Sequence, residues 1–225
     1  MTWDSWIRTV EVEPSLYAAD FAQLGEQIGT LLRAGARIFH FDIGDGHFVE
    51  PITMGPIVLE SIAPIVHDEG GVVDCHLMVD DPAHHFAGLA RAGADSVTFH
   101  VEAAPDPREV AKRAREHGFQ VGLALNPGTR IGDVLLDADA FDLVLCMSIH
   151  PGYSGQEFMP EAIDRLRGLR DALPDAVHLQ VDGGITDDNI RSVYDAGADL
   201  IVCGSAIFAM EDLPGAYRRL VHELA

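Results

Sequence analysis

The stretch Leu31-Leu32-Arg33-Ala34-Gly35-Ala36-Arg37-Ile38-Phe39-His40-Phe41-Asp42-Ile43 decides the fold. It closes an amphipathic segment, residues 20–34, with a glycine, the residue that most readily takes the left-handed turn ending a helix. Two residues later a short run rich in apolar and aromatic side chains begins, residues 37–43, which reads as a strand. The same Ala-Gly-Ala phrase recurs at 92–94 and 196–198, each time just before another strand-like run. Working outward, such runs fall at residues 12–16, 37–43, 72–78, 96–102, 120–125, 143–149, 177–182 and 200–203. Amphipathic stretches lie between them, among them 20–34, 107–117, 161–172 and 187–196, and several open on Asp or Pro as helix starts do. Strands alternating with helices predict parallel βαβ units. Eight is the number that closes a (β/α)8 (TIM) barrel. An open doubly wound sheet would carry a Gly-rich dinucleotide loop after its first strand, and Pro14-Ser15-Leu16-Tyr17 is not one.

The chain has 225 residues, which suits one such barrel, and a single domain over 1–225 is expected. Neither low-complexity sequence nor a shift in composition marks a boundary. No run approaches the roughly 18 uninterrupted apolar residues of a membrane span. Residues 1–8 lack the basic-then-apolar pattern of a signal peptide, so the cytoplasm is the expected compartment. Thirty-six acidic against 15 basic side chains give a formal charge of −21. That balance excludes nucleic-acid and anionic-membrane partners, which need clustered Lys and Arg. It also opposes a phosphorylated ligand at long range, so any phosphate site must rest on local backbone N–H groups. Cys75, Cys146 and Cys203 each sit in an apolar run and match no zinc spacing, as fits a reducing compartment without a disulfide framework.

Strands buried on both faces should be almost wholly apolar. Here their second halves carry ionisable groups: His40 and Asp42; Asp74 and His76, with Met78; His100 and Glu102; and Asp182. Side chains alternate along a strand, so His40 and Asp42 share one face, as do His76 and Met78. The C-terminal strand ends of a barrel hold its active site, and ionisable groups pointing there are costly unless paired or bound to metal. His40, Asp42, His76 and Asp182 therefore read as one constellation. Two imidazoles and two carboxylates suit a divalent first-row ion such as Zn, Mn, Fe or Co. Asp74 and His100 read either as partners that orient these ligands or as purely structural groups. His47, His84, His85 and His117 read as ordinary rim or structural histidines.

A phosphate side is also legible. The sixth strand runs into His150-Pro151-Gly152-Tyr153-Ser154-Gly155-Gln156, the seventh into Gly183-Gly184, and the eighth into Gly204-Ser205. Glycines let the backbone approach an anion, helix N-termini favour negative charge, and barrels often bind phosphate after strands seven and eight.

In series these segments resemble the ribulose-phosphate 3-epimerase family. Pro14-Ser15 with Ala19-Asp20-Phe21 looks like its opening motif. The run from Phe39 to Val49 resembles its first signature. His76-Leu77-Met78-Val79, Asn126-Pro127-Gly128-Thr129, Met147-Ser148 through Pro151-Gly152, Gly155-Gln156 and Val181-Asp182-Gly183-Gly184-Ile185 follow in family order. The resemblance covers roughly residues 14–208. It implies a barrel of the ribulose-phosphate-binding type and a homo-oligomer. It implies epimerisation at C3 of a ketose phosphate, D-ribulose 5-phosphate to D-xylulose 5-phosphate, through an enediolate. His40, Asp42, His76 and Asp182 fall where the family holds one divalent metal ion, with zinc expected ahead of iron, manganese or cobalt. Asp42 and Asp182 fall at its two acid/base carboxylates. Ser15 and Met78 fall at substrate contacts, and Gly152, Gly155, Gly183, Gly184, Gly204 and Ser205 in its phosphate segments, with His150 and Gln156 of the same loop also expected to bind substrate.

Three positions depart from that pattern. Gly44 stands where the family carries Met, His150 where it carries Asn, and Ser154 where it carries Gly. Gly44 predicts a larger, less shielded cavity. Three other functions are open on the sequence alone: an epimerase of a hexulose phosphate such as D-allulose 6-phosphate, a metal-free decarboxylase or synthase barrel, and a barrel that binds a sugar phosphate without turning it over.

Overall fold

Strands and helices alternate through the computed structural model, which describes residues 2–225. The strands are β1 Glu11–Pro14, β2 Ile38–Gly44, β3 Val72–Met78, β4 Ser96–His100, β5 Gln120–Leu125, β6 Leu143–Met147, β7 His178–Asp182 and β8 Leu200–Cys203. The helices are α1 Trp3–Trp6, α2 Leu24–Ala34, α3 Pro56–Asp68, α4 Pro82–Ala92, α5 Pro107–Glu116, α6 Ile131–Leu135, α7 Ala162–Ala172, α8 Ile190–Asp195, α9 Ser205–Phe208 and α10 Leu213–Glu223. All strands pair in parallel in one sheet, in the order β1-β8-β7-β6-β5-β4-β3-β2. A parallel bridge between Ser15 and His40 brings the exit of β1 to β2 and closes the ring. The barrel expected from the alternation of strands and helices is therefore the observed fold. No helix is long and apolar enough to cross a membrane, among the described residues.

The local signals act as read. Gly35 and Gly93 end α2 and α4 with φ of 109° and 97°. Asp81, Asp106 and Asp212 cap α4, α5 and α10, each accepting from the backbone N–H three residues on. Several boundaries move, and three show why. Residues 20–23 form a turn rather than the start of α2, because the Asp20 carboxylate accepts from Ala22 N at 2.9 Å. The fourth strand stops at His100 and residues 101–103 make a 3-10 turn. The sixth stops at Met147. In the last two cases apolar character outlasts the ladder, since burial at the barrel mouth does not require pairing.

Alternation along the strands divides the interior into two cores. Phe39, Phe41, Val73, Cys75, Leu77, Val97 and Phe99 face outward and pack with helix residues such as Ile28, Leu31, Leu59 and Phe86. Inside the ring, the first residues of four strands, Ile38, Val72, Leu143 and Leu200, pack with Trp3, so α1 plugs the N-terminal end of the barrel. A buried polar layer of Glu13, His40, Asp74, Ser96 and Gln180 also lies inside the ring. The C-terminal strand ends carry the site.

Candidate active site and metal centre

Alternate residues of β2 place His40 and Asp42 inside the barrel, and the pairing of Asp42 with His76 on β3 brings a second imidazole alongside. The Asp42 carboxylate takes Ser15 Oγ as a donor at 2.8 Å. Its other oxygen lies 3.1 Å from His76 Nδ1 and 3.3 Å from His40 Nε2. Asp182, at the end of β7, completes a set of four ligand atoms that all lie within 4.8 Å of one another. His40 and His76 are fully buried.

A second trio, Glu13, His40 and Asp74, is also compact. Three of its four carboxylate oxygens already have donors, however, and only Glu13 Oε1 is buried without one. Gln180 Nε2 reaches Glu13 at 2.8 Å and Asp74 at 2.9 Å, and Ser96 Oγ donates to Asp74 at 2.6 Å. This layer holds the far side of the His40 ring, with Asp74 Oδ2 3.3 Å from Nδ1, and so aims Nε2 at Asp42.

Electrostatics separate the two carboxylates of the mouth. Burial would raise the Asp42 carboxyl, but the charge and hydrogen bonds of His40 and His76 hold it well below the usual carboxylate range. Asp182 is pushed up to about 7, by burial and by the charge of Asp42. Deeper in, burial pushes Glu13 up to about 7. Burial also opposes charge on His40, yet Asp42, Asp74 and Glu13 raise its pKa well above the ordinary imidazole value. Both His40 ring nitrogens are buried without a well-aligned hydrogen bond. Four carboxyls thus crowd two imidazoles, and no Lys or Arg lines the cavity above them. Imidazole nitrogens and carboxylate oxygens in that ratio are the donors a divalent first-row ion takes, so the residues present fit a metal.

Ser15, Asp42, Met78, Gly152, Gly155, Asp182, Gly183, Gly184, Gly204 and Ser205 line a single cavity at the C-terminal mouth of the barrel. Gly152 and Gly183 take φ of 125° and 123°, which side chains rarely adopt. Among the described residues, the amides of Gly184 and Ser205 find no backbone acceptor, which leaves them able to meet an anion. His150 and Gln156 do not line the cavity. His150 is exposed, and Gln156 Nε2 donates to the carbonyls of His150 and Tyr153 at 2.8 and 2.9 Å, bracing the loop from within.

The structure corrects the expectation at Gly44. A Cβ there would meet Pro51 O at 2.8 Å and Val49 Cγ2 at 2.9 Å, and Gly44 N accepts no freedom either, donating to Thr53 Oγ1 at 2.7 Å. The loop over residues 45–53 has folded into the space, so the missing side chain does not enlarge the cavity. Sequence reasoning passed over Tyr17, Met147, Ile149, Tyr153 and Ile185, which also line the cavity. Met147 carried a signal, since it shares a strand face with Leu145. Tyr17 carried none: it lies in a 3-10 turn, beyond β1, and its hydroxyl reaches Gly152 O at 3.4 Å. Ser154, the third departure, lies beside Gly204 in the same cavity.

The model of the ribulose-phosphate 3-epimerase family matches residues 11–208. This chain belongs to that family. Ribulose-phosphate 3-epimerase 1 of Cupriavidus necator is 39% identical over 224 residues, covering 96% of this chain and 92% of the relative. The ribulose-phosphate 3-epimerase of Escherichia coli K12 is 38% identical over 216 residues, covering 95% and 93%. Among solved structures, 3-hexulose-6-phosphate synthase from Salmonella typhimurium superposes with a TM-score of 0.73 at 19% identity, over 96% of this chain and 98% of the other. That last likeness concerns the fold alone. Among the members of the epimerase family, then, this chain is one whose Gly44 position is filled by its own loop.

Proposed function

We propose that this chain inverts C3 of D-ribulose 5-phosphate, giving D-xylulose 5-phosphate, by two-carboxylate proton transfer. The observation that carries the reading is the pair Asp42 and Asp182, on strands β2 and β7, which are not neighbours in the ring yet bring the two carboxylates to one cavity. Inversion next to a ketone removes a proton from one face of the carbon and returns one to the other, which needs two positioned acid/base groups. Asp42 and Asp182 take those roles. Ser15 holds Asp42 in place through its 2.8 Å hydrogen bond. Met78, Met147 and Ile149 give the cavity an apolar side that excludes water from the reacting carbon. The glycine segments after β6, β7 and β8 offer backbone N–H groups to the phosphate.

His40, Asp42, His76 and Asp182 would hold one divalent ion, with zinc the first choice for two imidazoles and two carboxylates. When bound, such an ion supplies Lewis acidity to the substrate oxygens, which a carboxylate base needs if it is to remove a proton as weakly acidic as this one. A metal-free decarboxylase or synthase would have no use for the four-ligand set. The hexulose-phosphate reading loses its motive with the filled space at Gly44.

The test follows the C3 proton of ribulose 5-phosphate by NMR in deuterated water, with metal content measured on the same sample. Wash-out of that proton with appearance of xylulose 5-phosphate is expected. Asp42→Asn and Asp182→Asn should each slow it by about 10²–10⁴-fold. Near-normal turnover by folded, metal-loaded variants would sink the two-carboxylate reading.

A further inference from the structure

The loop after β6 is held by side chains rather than by its backbone. Ser148 N–H donates to Asp182 O at 2.8 Å, and Met159 N–H returns to Ser148 O at 2.9 Å, so residues 149–158 form a loop closed at its neck. Between those two bonds, among the described residues, no backbone N–H or C=O of the loop is bonded to another backbone group. The reason is chemical. N–H groups that are to meet an anion must be left without acceptors, so the same groups cannot also fix the loop's shape. Gly152 and Gly155, with φ of 125° and 82°, add freedom rather than support. Gln156 braces the loop only against itself. Two tyrosine hydroxyls tie it to the rest of the molecule. Tyr17 Oη lies 3.4 Å from Gly152 O, at the long end for a hydrogen bond, whereas Tyr153 Oη donates to Glu50 Oε2 at 2.6 Å.

Glu50 stands on a much stiffer segment, the loop over residues 45–53. The Asp45 carboxylate accepts there from the N–H groups of His47 and Phe48, each at 2.8 Å, and from that of Asp80 at 2.9 Å. Thr53 Oγ1 accepts from Gly44 N and donates to Asp42 O, both at 2.7 Å. Asp45 and Ile52 form an antiparallel bridge. A loosely held loop is thus tied by one short bond to a firmly held one across the mouth of the cavity. We propose that the Tyr153–Glu50 bond is a strap that keeps the loop over residues 149–158 in its phosphate-binding shape, and that Tyr153 and Glu50 are positioning residues for phosphate capture. The inference rests on the reading that this loop meets the substrate phosphate.

The strap gives a reason for a carboxylate at the rim of a site for an anion, in a chain that already carries −21. A carboxylate is the strongest acceptor a phenol O–H can find among side chains, and this one serves the loop and not the ligand. Without the bond, the loop is in place for only a fraction of the time, and the apparent affinity for phosphate falls by that fraction.

The experiment titrates the full chain with inorganic phosphate and, separately, with ribulose 5-phosphate, and follows the phosphorus resonance of each by NMR. Glu50→Ala and Glu50→Gln remove the same charge, but only Gln keeps an oxygen that can accept from Tyr153. Comparing the two therefore separates the bond from the repulsion between Glu50 and the ligand. Glu50→Ala is expected to bind both ligands about 2–10-fold more weakly than Glu50→Gln. Tyr153→Phe should lose a similar factor against the wild type. Added to Glu50→Ala, Tyr153→Phe should cost nothing more, because the bond is already gone; added to Glu50→Gln, it should cost its usual factor. Glu50→Ala as tight as Glu50→Gln overturns the proposal. So does Tyr153→Phe that binds as the wild type does. An equal loss from Tyr153→Phe with and without an acceptor at position 50 also overturns it, since the hydroxyl would then act on the phosphate itself. A wild-type chain that binds neither ligand overturns it too. None of these readouts uses turnover. Variants that bind as expected in a protein that leaves the C3 proton of ribulose 5-phosphate in place would support the strap and refute the epimerase reading.

Discussion

Asp42 accepts from Ser15 and lies against two imidazoles, whereas Asp182 faces chiefly the charge of Asp42. Identical side chains thus sit in opposed electrostatic settings, one held ionised and the other pushed up to about 7. Residue identity told which groups stand at the mouth; only their neighbours separate the two. The crowding of carboxyls around His40 and His76 has a consequence for stability. A cation that binds the folded state alone stabilises it by mass action, by about 2.7 kcal/mol at a hundredfold excess over its dissociation constant. For a chain of this size that is roughly 5–11 °C in melting temperature. Scanning calorimetry with zinc and with a chelator should show a rise of that order, and Asp182→Asn should lose much of it. Identical melting curves with and without zinc would remove the metal from the site.

At the scale of elements, helices and strands are set by short-range rules, and loops by what they pack against. Gly35 and Gly93 end helices because only a residue without Cβ adopts their φ at no cost. Gly44 looks equally permissive in the sequence, but it serves a different purpose. Val49, Pro51 and Thr53 press against the place where its side chain would be. Gly44→Ala should therefore force the loop over residues 45–53 outward, at a cost of about 1–3 kcal/mol from overpacking. A lower urea midpoint with an unchanged slope is the expected result. The same loop meets the β6–α7 connection where Tyr153 donates to Glu50 Oε2 at 2.6 Å, so disturbance at Gly44 should reach the cavity rim. An alanine variant as stable as the wild type would show that the loop is not held by that contact.

Across the whole molecule, closure of the ring buries polar residues inside and apolar ones between strands and helices, and α1 seals the far end. His178 joins that seal to the barrel: its Nε2 is 3.2 Å from Asp4 and its Nδ1 is 3.5 Å from Asp199. Burial works against its charge, but Asp199 and Asp4 prevail and raise its pKa. A raised folded-state value means that the stabilisation is present in full below the ordinary imidazole value of 6.5 and is lost as pH rises past it. The stability difference between the wild type and His178→Gln should accordingly shrink as pH is raised through that region, as read from denaturation midpoints. A difference that grows instead would reverse the sign assigned here.

The eight strands, the helix stops and the polar strand ends were legible in the sequence because each depends on neighbours a few residues apart. Alternation assigns a side chain to a face, and a glycine marks a turn, wherever the chain later goes. The pairing of Asp42 with Ser15, the bond from Tyr153 to Glu50, the filled space at Gly44, the turning of Gln156 into its own loop and the arrival of Tyr17 at the cavity were not. These contacts join segments from different strands and loops, and they exist only once the sheet has closed with one register between every pair of strands. Periodicity states which way a side chain points. The distance from that side chain to one on another strand is decided by the closed barrel, because closure and register, not local sequence, bring the strand ends together.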